Sequence, residues 1–208
     1  ISLVYENSIL KSASTRGDGY HGEDVTSNAR MINSIPLVLN KNIPGIIEIR
    51  GEVFISISEF ENLNNKRETN NLSKYSNPRN CASGSLRQLD PKITKSRNLD
   101  TFMYNIGYSE NQTDIPKKQS EQLSLIEEMG FRINKNYLLT KTVKETINFY
   151  KDCQQKIKTL DYLCDGLVIK VNELELQNKI GSLSRTPKWA IAFKYPGNKA
   201  ITQIKDIE

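Results

Sequence analysis

Polar and apolar positions alternate most clearly over Ile46–Ile55. Ile47, Ile49, Gly51, Val53 and Ile55 fall on one side of an extended chain, with Glu48, Arg50, Glu52 and Phe54 on the other. Pro44-Gly45 just before it marks where that strand begins. Ile1–Tyr5 and Ile9–Ser14 bracket the polar triplet Glu6-Asn7-Ser8 and read as a hairpin. Thr15-Arg16-Gly17-Asp18-Gly19 follows as a tight loop, and Glu23–Ile32 as a short helix. Further strands are expected at Phe102–Tyr108, Gly166–Val171, Trp189–Tyr195 and Ile201–Ile207.

Helix signals fill the middle of the chain. Ser56 stands three residues before Glu59, a capping-box spacing, and opens a helix to about Lys66. Thr142 and Glu145 repeat that spacing for a helix reaching about Leu160. Asn77-Pro78-Arg79 reads as an N-cap with proline at the first helical position. Leu123, Ile126 and Met129 lie at helical spacing, with Gly130 as the stop. The polar, Asn-rich stretch Arg67–Ser76 is expected to be a mobile loop. Strands at both ends with helices between them point to an α+β fold with largely antiparallel sheets. No internal repeat is present.

Composition narrows the chemistry. The 208 residues suffice for one large domain or two small ones. No stretch approaches the roughly 20 apolar residues of a membrane helix, and no basic-then-apolar leader opens the chain, so a soluble protein is expected. Three cysteines, Cys81, Cys153 and Cys164, without CxxC spacing, fit a reducing cytoplasm better than a disulfide framework or a zinc site. With His21 as the single histidine, serine-type triads and histidine-bound metals are disfavoured. Lys, Arg, Asp and Glu are left to carry any catalysis. The net charge of +5 is a weak pointer to a polyanionic partner.

Strand parity then suggests a pocket. Glu52 belongs to the charged side of Ile46–Ile55, although such a side is also what a solvated outer face looks like. Lys194 shares a face with Ala190 and Ala192, and Lys170 shares one with Gly166 and Val168. Small neighbours beside a lysine leave an open floor with a cation at its rim, or simply let a helix pack closely. Three strands that each offer one charge among small residues suit an anionic, partly apolar ligand. Such a pocket requires the charged side of Ile46–Ile55, Lys170 and Lys194 to converge.

Seven segments make a specific resemblance. Thr15-Arg16-Gly17-Asp18-Gly19, Gly22-Glu23-Asp24-Val25-Thr26-Ser27-Asn28, Arg50-Gly51-Glu52-Val53-Phe54 and Asn77-Pro78-Arg79-Asn80 are the first four. The others are Gly84–Pro91, Asp165–Asn172 and Arg185–Pro196. In order and in sequence they resemble the signatures of bacterial NAD-dependent DNA ligases, over nearly the whole chain. The resemblance implies a nucleotidyltransferase fold of the DNA ligase and mRNA-capping type, related to ATP-grasp, with residues 1–208 as its adenylation domain. It implies that a lysine takes AMP from NAD, and that AMP passes to the 5′-phosphate of nicked double-stranded DNA before the strand is sealed.

By the same resemblance, Glu52 contacts the adenosine ribose, Lys170 and Lys194 hold the α-phosphate, and Arg16 borders the nucleotide. Asp165 supports a metal, and Arg79 and Arg87 meet DNA phosphates or the nucleotide rim. Mg2+ or Mn2+ would assist, and Zn2+ would belong only to a downstream region. The protein is expected to be monomeric, cytoplasmic and nucleoid-associated, with no membrane contact. The family places its nucleophile in a Lys-x-Asp-Gly motif just before the strand at Ile1. The chain is therefore expected to lack that lysine and to be unable to adenylate itself. An upstream domain gripping nicotinamide mononucleotide, and downstream OB-fold, zinc, helix-hairpin-helix and BRCT regions, would lie outside it. Departures from the family pattern are Cys81 and Ser83 in place of alanine, Tyr20-His21, and Lys188 in place of arginine. The rivals are an ATP-dependent ligase or capping enzyme, separable by which nucleotide adenylates the full protein, and a non-catalytic binding module. Loss of Glu52, Lys170 or Lys194 would have favoured the module, and all three are present.

Overall fold

The computed structural model describes residues 1–19, 21–111, 115–183, 186–197 and Gln203. The expected strand at Ile201–Ile207 lies outside these, apart from Gln203, as do Tyr20 and Arg185. The opening hairpin pairs β1 (Ser2–Glu6) with β2 (Ile9–Ser14). Asn7 and Ser8 turn it with φ of 49° and 68°, the left-handed pair that matches the twist of the flanking strands. β3 (Ile46–Phe54) pairs antiparallel with β1, and β4 (Asp100–Ser109) with β3, so the sheet order is β2-β1-β3-β4.

Side-chain alternation along β3 matches the sequence pattern. Ile47 and Ile49 are fully buried and Ile55 is 2 % exposed, whereas Arg50 and Glu52 face out. Leu3, Tyr5 and Leu10 from the hairpin, Met103 from β4, and Ile126 and Met129 complete the same core. Two helices cover that face. The first is α3 (Pro78–Leu86), which buries Cys81, Ala82, Ser85 and Leu86. The second is α5 (Gln119–Glu128), which buries Leu125 and Ile126 and ends at Gly130 with φ of 100°.

Helix starts follow the sequence. Ser56 accepts from the Glu59 amide at 3.1 Å, Asn77 from Asn80 at 2.8 Å and Thr142 from Glu145 at 3.2 Å. They begin α2 (Ile57–Thr69), α3 and α6 (Val143–Lys156). Each such cap is worth about 1 kcal/mol.

Four expectations change. The helix read over Glu23–Ile32 shrinks to α1 (Thr26–Ala29), since Asp24 turns the chain by accepting from the Thr26 amide and hydroxyl. α6 stops at Lys156, and a 3-10 turn over Ile157–Thr159 carries the chain on to Leu160. Arg67–Ser76 is tied down rather than loose. Arg67 donates to the Ser73 carbonyl at 2.6 Å and stacks over Tyr75 at 4.4 Å, and the Tyr75 amide donates to Asn64 at 2.8 Å. Its polar side chains satisfy its own backbone. Finally, α4 (Pro91–Ser96), α7 (Leu174–Ile180) and the short ladder β6 (Ser182–Leu183) with β7 (Thr186–Pro187) were not expected.

A second antiparallel pair, β5 (Gly166–Lys170) and β8 (Ala190–Lys194), carries both candidate lysines. It joins the main sheet through α5. The Gln119 amide donates to the Asn172 carbonyl at 2.7 Å, the Ser120 amide to the Asn172 side chain at 2.9 Å, and the Leu174 amide to Lys117 at 2.9 Å.

Candidate active site

A cavity of about 720 Å3 is lined by Thr15, Arg16, Gly17, His21 and Gly22 from the loop after β2, by Glu52 and Val53 of β3, and by Ser83, Leu86 and Arg87 at the end of α3. The loop that holds Arg16 is shaped by its glycines. Gly17 has φ of 52° and packs so closely against the His21 carbonyl that no side chain would fit. Glu52 is exposed at the cavity, whereas Gly51 beside it is buried and leaves room for Met103 beneath.

Along the same strand, Glu48 accepts two hydrogen bonds from Arg50, both at 2.9 Å, and one from the Ser2 hydroxyl. The pair lies over Gly107, where a Cβ would collide with it. Burial pushes the Glu48 carboxyl up, but its bonds to Arg50 and Ser2 hold it below the usual carboxylate range.

Arg87 reaches the cavity from the end of α3. Its guanidinium stands 3.7 Å from Glu23, and its Nε donates to the Ser83 carbonyl at 3.3 Å. Buried Asn28 anchors this wall, donating to the Gln88 carbonyl and to Thr94, both at 2.8 Å. Arg79 shares the exposed stripe of α3 with Ser83 and Arg87 but lies outside the cavity lining.

Lys170 is half-buried, with its ammonium 4.9 Å from the centre of the Tyr104 ring. Burial holds that ammonium below the ordinary lysine range. The Tyr104 hydroxyl is pushed up by burial and by the Glu52 charge, while Arg50 and Arg16 pull it back. Tyr104 thus touches Lys170 and feels the charges of Glu52, Arg50 and Arg16.

Lys194 is elsewhere. It pairs in register with Gly166, as Lys170 does with Ala190, so both lysines share one face of the β5–β8 pair at opposite ends. Four residues of strand separate them, about 13 Å. Lys194 is exposed and lies 3.7 Å from the exposed Asp165, a contact of little intrinsic strength. Of the residues expected at the nucleotide, Arg16 and Glu52 line one cavity, while Lys170 lies against Tyr104 outside that lining. Lys194 stands apart with Asp165.

Tyr104 was not singled out in the sequence, and neither were Thr15, Ser83 and His21 as lining residues. The register of β4 against β3 passes from Asn105 opposite Arg50 to Met103 opposite Gly51, which skips Tyr104. Such a bulge re-aims a side chain without leaving a mark in residue type.

The model of the NAD-dependent DNA ligase adenylation domain matches residues 1–198. The chain belongs to that family. Among curated proteins it is 43% identical over 215 residues to a DNA ligase of Pelotomaculum thermopropionicum, matching all of this chain and 32% of that protein. It is 46% identical over 207 residues to a DNA ligase of Desulforamulus reducens and 42% over 207 residues to one of Thermotoga maritima, covering 30% of each. The chain therefore spans about a third of the length of these relatives. Mixed helix and antiparallel sheet is the architecture expected of an adenylation nucleotidyltransferase domain.

Proposed function

We propose that the full-length protein seals nicked double-stranded DNA with NAD, and that this chain supplies the pocket that holds AMP. One observation carries the reading. Arg16, Glu52 and Arg87, distant in sequence, line a single cavity of about 720 Å3, a volume suited to a nucleotide. In the first step a lysine attacks the α-phosphate of NAD. A P–N bond forms, the bond to nicotinamide mononucleotide breaks, and the electron pair leaves with that group. An oxygen of the DNA 5′-phosphate then displaces the lysine, and the 3′-hydroxyl displaces AMP.

Each step moves negative charge among phosphate oxygens, so fixed cations carry much of the rate. Arg16 borders the nucleotide, Glu52 accepts from its ribose hydroxyls, and Lys170 and Lys194 hold the α-phosphate. Lys194 exchanges its exposed contact with Asp165 for a phosphate. Arg79 and Arg87 face DNA phosphates. Mg2+ or Mn2+ would lend charge neutralisation, with Asp165 in a supporting place. Among the described residues no group of three His, Cys, Asp or Glu could cage such an ion. Phosphate oxygens and water would supply most of its ligands, as is usual for magnesium. Zinc, if used, belongs to the remainder of the protein. The reading extends to a monomer serving replication and repair in the bacterial cytoplasm.

The test is transfer of label from NAD to the full-length protein. Lys170→Ala and Lys194→Ala should each slow it on the order of a hundredfold, since one transition-state charge contact is worth about 3 kcal/mol. Both variants should still fold cooperatively. Near-normal transfer in both variants overturns the reading.

A further inference from the structure

The bulge that brings Tyr104 to Lys170 has a keeper. Leaving the β3–β4 register takes Tyr104 out of the ladder, and a carbonyl without a strand partner must find another donor. The Gln119 side chain supplies it, donating from Nε2 to the Tyr104 carbonyl at 2.9 Å. The backbone of the same residue donates to the Asn172 carbonyl at 2.7 Å. Asn172 stands two residues beyond Lys170, whose ammonium rests on the Tyr104 ring at 4.9 Å.

The contacts therefore close a ring: Lys170, Tyr104, Gln119, Asn172 and back along the chain to Lys170. Asn172 is held a second time, its side-chain oxygen accepting from the Ser120 amide at 2.9 Å. Gln119 is 7 % exposed, and its Oε1 is buried without a hydrogen-bond partner among the described residues. A buried amide used at one end only is a poor choice for packing alone, because the unpaired oxygen carries a desolvation penalty. What an apolar residue of the same length cannot supply is the bond to the bulge.

From this ring we infer that Gln119 is a positioning residue for the adenylation step. It fixes the Tyr104 bulge and the end of β5 to the same point, and so sets where the Lys170 ammonium stands relative to Glu52. The inference rests on the role proposed for Lys170.

The experiment is single-turnover adenylation of the full-length protein by NAD in a double-mutant cycle. Gln119→Met, close to isosteric, should lower the rate constant about tenfold with less than a twofold change in the NAD concentration for half-maximal rate. Gln119→Glu, which also lacks the Nε2 donor, should show the same loss and serves if the methionine variant folds poorly. In a Lys170→Ala background, Gln119→Met should cost no further rate beyond about twofold, because a residue acting through Lys170 has nothing left to position. Tenfold losses that multiply in the double mutant, or an unchanged rate in the folded single variants, overturn the inference. If Lys170→Ala is itself near normal, the failure belongs to the role proposed for Lys170.

Discussion

The two sheets of this molecule are built on different terms. The β2-β1-β3-β4 sheet lies on a core of 23 buried apolar residues among those described, all between Leu3 and Ile133. In the stretch from Asn134 to Gly197, Gln177 is the one buried residue among those described. Val168 and Ile191, side chains of the β5–β8 pair, are 60% and 65% exposed. Aromatic contacts and α5 position this second layer instead. Tyr150 stacks on Phe193 with centroids 4.0 Å apart, and Tyr162 packs against Phe54 and Phe102 of the main sheet. The rigid layer presents Arg16, Glu52 and Arg87, and the lightly held layer presents Lys170 and Lys194. Under the function proposed above, a nucleotide would meet a fixed wall on one side and adjustable cations on the other. Regions with few buried apolar contacts are the ones that open at low cost.

The comparison breaks most easily at the core. Ile49→Ala, at a fully buried position, should destabilise the chain by about 2–5 kcal/mol. Ile191→Ala on the second layer should cost about 0.5 kcal/mol or less. Urea unfolding of the two variants measures the difference, and similar losses would place a core where none is seen here. Amide exchange offers a second view, with β5 and β8 expected to exchange well before β1 and β3.

A smaller effect comes from Lys170. Burial lowers its pKa in the folded chain, so between that value and the ordinary lysine value the unfolded chain binds more protons. Stability then rises with pH through that window, which lies below the ordinary lysine value of 10.5. Lys170→Met should flatten the rise in urea midpoints taken across mildly alkaline pH. A phosphate at the ammonium would raise the pKa, so adding AMP to the wild type should flatten it too. A wild-type curve that falls as pH rises through the window would contradict the burial of this lysine.

Much of the rigid layer was legible in the sequence, because period-two alternation over Ile46–Ile55 has few readings and Ser56, Asn77 and Thr142 cap by local chemistry. Short elements were not. Asp90 accepts from the Lys92 amide and Pro91 opens α4, yet six residues give too little periodicity to see. The β5–β8 face was legible by parity, and both lysines do share it. Their separation was not, since parity assigns a side of a strand and not a place along it. Tyr104 was hidden by its bulge. Arg67–Ser76 was misread because polarity alone does not separate a chain solvated by water from one bonded to itself. The identities proposed for the site residues came from family resemblance, which the strand pattern alone would not have supplied.

The finest distinction concerns the rigid layer's own cations. Arg79 and Arg87 lie on one exposed stripe of α3, about 12 Å apart along the axis at 1.5 Å per residue. Only Arg87 lines the cavity, so the two should separate in function. Arg79→Ala should leave NAD-driven adenylation within about twofold and weaken nick binding modestly, as expected where one exposed phosphate contact is lost. Arg87→Ala should weaken nick binding similarly and also slow adenylation several-fold, because it borders both ligands. For each variant the slope of log affinity against log salt should fall by about one unit, the signature of one phosphate no longer neutralised. The measurement is nick binding by pre-adenylated full-length proteins across a salt series, beside single-turnover adenylation. An unchanged slope in Arg79→Ala would make its side chain a support for the neighbouring Tyr75 segment. An Arg87→Ala protein that adenylates normally would move that arginine from the nucleotide wall to the DNA face, and leave Arg16 as the rigid layer's cation at the nucleotide.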